Sequence, residues 1–202
     1  MTTTATISWN AELVEQMDWH WRTQLRRRLE GLTDEEYLWE PVPSWSVRAR
    51  GSSSAPVQGG TGTHVVEFAY PEPVPAPFTT IAWRMAHLVV GVLGMRNAAH
   101  FGREPVDYLT HEYAATAADA LAQLDAEYAT WLAGVRSLGE GGLSRPCGPS
   151  EGPFADRSMA ALVLHITREL VHHGAEVCLL RDLYLHSHPS TPDQAGSVRR
   201  EI

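Results

Sequence analysis

Basic charge is in short supply in this chain of 202 residues: 16 lysines and arginines stand against 24 aspartates and glutamates, leaving a net charge of −8. A nucleic-acid backbone calls for a basic face, so nucleic acid is excluded as the main partner. Cysteine is scarcer still. Two thiols cannot build a disulfide framework, which points to a reducing compartment. No stretch of about 18 apolar residues exists to span a membrane. The segment from Met1 to Trp9 has neither the basic start nor the apolar middle of a secretion signal. The expectation is a soluble, cytoplasmic protein with neither a nucleic acid nor a membrane as partner. What is present suffices for one domain. Apolar residues make up 44% of the chain, and a chain of this length buries about 70% of the surface its unfolded form exposes.

Four long helical segments are predicted. In the first, residues 9–31, Leu13, Met17, Trp21, Leu25 and Leu29 recur every four residues, and Gly31 supplies a stop. Thr33 and Glu36 form a capping box opening a short helix before Pro41. The second long helix opens at Thr80 and runs to about Phe101, the third runs from Thr116 to about Leu138, and the fourth from about Arg157 to Leu185. Residues 41–78 are rich in proline, glycine and serine, too long for an ordinary connection, with a possible short β-ribbon in 62–70 around Val65, Val66 and Phe68. The expected fold is an all-α four-helix bundle with a long crossover, one domain over 1–185, followed by a loose tail over 186–202.

Ten histidines are the anomaly. Placed at about 100° per residue on the fourth helix, Met159, Val163, Ile166, Leu170 and Val177 make one apolar face. His173 falls at about 320°, inside that face, and Glu169 at about 280°, on its shoulder. His165 lies near 240° and His172 near 220°. A buried carboxylate without a partner costs several kcal/mol, so such groups are paired, protonated or bound to metal. Glu169 and His173, four apart, form a two-ligand unit that needs a third ligand from a facing helix. On the second helix the apolar stripe is Ile81, Met85, Leu88, Val92 and Met95, and the neighbouring row is Thr80, Arg84, His87, Gly91, Gly94 and Ala98. His87 is the one ligand candidate there. The two mid-helix glycines imply either close helix packing or open space beside His87.

His87, Glu169 and His173 would make a His2Glu set with one open position, the pattern of a catalytic zinc site, although imidazole and carboxylate also suit nickel or another divalent ion. Other readings stand beside it. An inward histidine serves equally as a hydrogen-bonded core residue. Glu169 can pair with Arg84 or Arg168, and His165 competes as a ligand because it precedes Glu169 by four. His20 reads as an ordinary first-helix residue, His186 and His188 as solvated tail residues, Cys178 as packing, and Cys147 as a loop thiol with no activating motif.

The segments Leu32-Thr33-Asp34-Glu35-Glu36, Thr79 through Leu88 and His165 through Arg181, in that order and spacing, resemble the DinB/YfiT-like superfamily of metalloenzymes. The resemblance covers roughly residues 9–186 and implies a four-helix bundle whose metal is held by one histidine of the second helix and two residues four apart on the fourth. Glu169 at the middle position resembles the His-Glu-His variant of the mycothiol-dependent maleylpyruvate isomerases and related thiol transferases. It implies His87, Glu169 and His173 as ligands and mycothiol or another small thiol as co-substrate. The insertion over 46–78 and the lack of an evident C-terminal second domain depart from the isomerases. The leading expectation is a metal-dependent thiol S-transferase acting on a small electrophile held between the bundle mouth and the 41–78 loop, with Arg84 as a possible substrate contact. The alternatives are a thiol-dependent cis-trans isomerase and a non-catalytic metal-binding stress-response protein. A homodimer through Trp19 or Trp45 is a further expectation.

Overall fold

The computed structural model describes residues 7–188 and is mostly helical. Helix α1 spans residues 9–28, as Trp9–His20, a π-helical segment Trp21–Leu25 and a last short piece Arg26–Arg28. Ser8 caps its start, and Gly31, at φ +69°, turns the chain out of it. Met17, Trp21, Leu25 and Leu29 are buried as the spacing requires, while Leu13 is only half-buried. Helix α2, Asp34–Leu38, opens with the expected reciprocal capping box between Thr33 and Glu36.

Helix α3 spans residues 81–101 as Ile81–His87, a π-helical segment Leu88–Gly94 and Met95–Phe101. Thr80 caps it, and Gly102 in the left-handed region ends it. Helix α4, Ala117–Leu143, is capped by Thr116 and broken at Gly139, so its regular part stops where the composition implies, at Leu138. A short 3-10 helix, Pro149–Phe154, precedes α5, Met159–Ser187, capped by Ser158. Helices α1 and α3 each pack on both α4 and α5, and α4 packs on α5. The shared interior is fully buried at Leu93, Leu124, Trp131 and Val163.

Three expectations need correction. The 41–78 segment is not a loop with one ribbon. It holds β1 (Ser44–Trp45), β2 (Val47–Ala49), β3 (Val57–Gly59) and β4 (His64–Phe68), with β5 (Phe78–Thr79) at its end. β4 is the centre of an antiparallel sheet between β2 and β3, while β1 and β5 pair in parallel. Glu67, almost fully buried on β4, holds this sheet together by accepting from the Ser46 N–H and from Arg48 Nε, both at 2.8 Å. Helix α5 continues to Ser187, so the expected tail over 186–202 begins inside a helix, and residues 189–202 lie outside the described residues. Trp19 is exposed, but Trp45 is half-buried with its ring edge-on to Phe68 at 6.5 Å. No helix among the described residues is long and apolar enough to cross a membrane.

Candidate metal centre

Where α3 faces α5, His87, Glu169 and His173 each bring one donor atom to within 4.8 Å of the other two. The helical wheel anticipates this half of the geometry. Four residues is about one turn, so Glu169 and His173 lie side by side, and His173 Nε2 stands 3.4 Å from Glu169 Oε2. The His87 and His173 rings meet nearly edge to face, 4.7 Å between centroids and 86° between planes.

Each imidazole is oriented through its other nitrogen. His87 Nδ1 is 2.6 Å from the Tyr108 hydroxyl, and its ring is nearly parallel to those of Trp83 and Tyr108. His173 Nδ1 is 2.7 Å from Glu176 Oε2. In both residues Nδ1 is engaged and Nε2 remains. This is the arrangement in which a carboxylate or other partner fixes the tautomer and aim of a metal-ligating histidine. The fit extends to protonation. Burial, with the neighbouring His173 next in weight, pushes the His87 pKa down to about 4, so its ring is neutral at pH 7, the form a metal takes up. Burial raises the Tyr108 phenol to about 12, which keeps its proton on.

Tyr108 and Glu176 are the residues the sequence reading misses. Glu176 follows His173 by three, a spacing that signals it. Tyr108 lies in the connection after α3, and its one trace is Gly91. A Cβ on Gly91 would stand 1.9 Å from the Tyr108 hydroxyl, so the glycine makes room for the tyrosine, and it also lines the open space beside His87. Gly94 belongs to close packing, since its Cβ would meet Val106 at 3.0 Å.

Arg84 pairs with Glu176 through Nη1, and the same nitrogen is 3.4 Å from His173 Nδ1. It is therefore held by Glu176 and not by Glu169. Glu169 instead has Arg168 at 3.6 Å and His165 at 3.4 Å. His165 is outside the three-residue cluster. A second grouping, His172, His173 and Glu176, also meets the distance criterion. It fits a cation less well, because Glu176 is already held by Arg84 and the His172 side chain is 64% exposed.

A cavity of about 320 Å³ opens beside the cluster, lined by His87, Glu169, His165 and Tyr108 with the apolar side chains of Val92 and Met95. Met95, assigned above to the buried stripe, is part of this wall and 36% exposed. The β-segment does not line the cavity. It supports the cluster from behind: Phe68 is edge-on to both Trp83 and Tyr108, and Trp83 Nε1 donates to the Glu67 carbonyl at 2.9 Å.

Neither the curated proteins nor the solved structures include a significant match to this chain. The family model of the DinB superfamily does match, over residues 16–177. That span is most of the chain and takes in His87, Tyr108, Glu169, His173 and Glu176, and the chain belongs to the DinB superfamily.

Proposed function

We propose that this protein holds one divalent metal, zinc or else nickel, through His87, Glu169 and His173, and uses it to activate a low-molecular-weight thiol for transfer to a small electrophile. The observation that carries this reading is the convergence of three donor atoms within 4.8 Å, with the Nδ1 atom of each imidazole separately engaged. Three protein donors leave a coordination position for a substrate. The metal supplies one thing, deprotonation of a thiol bound to it, and the thiolate is the nucleophile.

The rest falls to the chain. Tyr108 and Glu176 hold the two imidazoles in place, and Arg84 balances the Glu176 charge. Val92, Met95 and Ile166 give the cleft an apolar side. Mycothiol enters by family resemblance, as does the reading of the four rods as a four-helix bundle whose crossover is the β-segment. Two free cysteines are in keeping with a reducing cytoplasm, where such thiols abound.

The test is elemental analysis of untagged protein. The expected result is about one metal per chain, lost in His87→Ala and Glu169→Ala and kept in His172→Ala. Metal-loaded protein should then consume a small thiol in the presence of monobromobimane or chlorodinitrobenzene. Metal at stoichiometric level without turnover of any thiol would leave a binding protein and overturn the transferase reading, and absence of metal would overturn both.

A further inference from the structure

Next to the candidate metal cleft lies a larger cavity, of about 620 Å³. The two share Arg96 and His165 in their walls. The larger one is formed between α5 and the 3-10 helix Pro149–Phe154, and it collects three arginines, Arg96, Arg157 and Arg168. In a chain of net charge −8, that is a local reversal of sign. Glu151 is the one acidic side chain in this wall. It is occupied, with Oε1 2.9 Å from His100 Nε2 and Oε2 3.5 Å from Arg96 Nη2.

The arginines are not consumed by this single carboxylate. Arg157 forms no ion pair among the described residues. Arg168 reaches toward His165 and Glu169, with the carboxylate at 3.6 Å. Arg96 Nη1 donates to the Gly91 carbonyl at 2.9 Å, yet its Nε is buried with no hydrogen-bond partner. Beside Ser150 and His165, the rest of the wall is mainly apolar, chiefly Leu162, Ala161 and the exposed ring of Phe154. Guanidinium groups match carboxylate geometry, and an apolar surround strengthens that pairing while accepting a hydrocarbon body.

We propose that this cavity binds a small carboxylate with an apolar body. On the metal-dependent reading above, and resting on it, that carboxylate is the electrophilic co-substrate, held by the arginines beside the cleft where the thiol is activated. Binding itself needs no metal, which lets the two readings fail separately.

The experiment is calorimetric titration of chelator-treated protein with cinnamate, using cinnamamide as the neutral isostere, with Arg157→Gln and Phe154→Ala as variants. Both positions are exposed and can be changed without opening the core. Cinnamate is expected to bind at least tenfold more tightly than cinnamamide. Arg157→Gln should weaken cinnamate at least fivefold while leaving cinnamamide unchanged, and Phe154→Ala should weaken both ligands. Equal affinity for acid and amide, or cinnamate binding indifferent to Arg157→Gln, overturns the proposal whatever the metal content of the untreated protein. Cinnamate binding with this pattern in a protein that carries no metal upholds the cavity and refutes only its role as co-substrate site.

Discussion

A single hydroxyl separates Tyr108 from phenylalanine, and that hydroxyl is what engages His87 Nδ1 at 2.6 Å. Tyr108→Phe keeps the ring that packs on Phe68 and beside His87 and removes only the orienting bond. Loss of such an outer partner costs about 10- to 100-fold in metal affinity. Competition against a chromogenic chelator should therefore show Tyr108→Phe binding zinc more weakly by that factor, with the metal-free protein still folding cooperatively at a cost of about 1 kcal/mol. Affinity equal to the parent would mean that His87 needs no orienting partner. At this scale much of the centre is legible in the chain. A carboxylate and an imidazole four apart on an otherwise apolar face, and one histidine on the facing helix, bring His87, Glu169 and His173 forward as candidates, with His165 as a rival until the family resemblance is added. The partner of Arg84 stays open in the chain because its long side chain can reach either Glu169 or Glu176, and which one it meets depends on the relative rotation of α3 and α5, a property of packing and not of spacing. Tyr108 stays hidden because nothing in its own neighbourhood marks it.

Short elements here are tied to long ones by buried charge. Glu36, 2% exposed, closes the capping box of α2 by accepting from the Thr33 N–H at 2.8 Å. Its other oxygen accepts from Arg181 Nε on α5 at 3.0 Å. Removing one member of a buried pair leaves the other uncompensated. Glu36→Ala should lower the unfolding free energy by roughly 3 kcal/mol in denaturant titrations, against about 1 kcal/mol for Thr33→Ala, which removes only a cap. The double variant Glu36→Ala/Arg181→Ala should lose less than the sum of its parts, and strict additivity would show that the pair is not coupled. The helices and their starts are the most readable elements, because Thr33, Thr80, Thr116 and Ser158 each act locally as caps. The π-helical segments at Trp21–Leu25 and Leu88–Gly94 are not readable, since a changed hydrogen-bond register leaves no mark in apolar periodicity. Of the β-elements over 44–68 only β4, at Val65, Val66 and Phe68, is legible, and the rest are hidden for a related reason. Those strands are two or three residues long, too short for alternation to show, and the organiser of the sheet, Glu67, is a charged residue in a buried strand position.

Across the whole molecule, several histidines sit in surroundings that favour their neutral form. Burial lowers the pKa values of His20 and His111 as well as that of His87. For His87 the ordinary value is 6.5 and the folded value about 4. Between those limits the unfolded chain binds a proton that the folded chain does not, so stability falls as pH drops. The contribution is intact above about pH 6.5 and is progressively lost toward pH 4. Histidines 20 and 111 push in the same direction over the range just below 6.5. In protein stripped of metal, the denaturation midpoint should therefore decline between pH 7 and pH 5, and His87→Gln should show a shallower decline, because glutamine has no proton to gain. With metal bound the decline should be steeper than in stripped parent protein, since protons then also compete with the ion for its ligands. If stripped parent and stripped His87→Gln lose stability in parallel over this interval, His87 is not held neutral by its surroundings. An unshifted His87 would still be mostly neutral at pH 7, and protons would compete with the ion for it only as the pH falls below about 6.5.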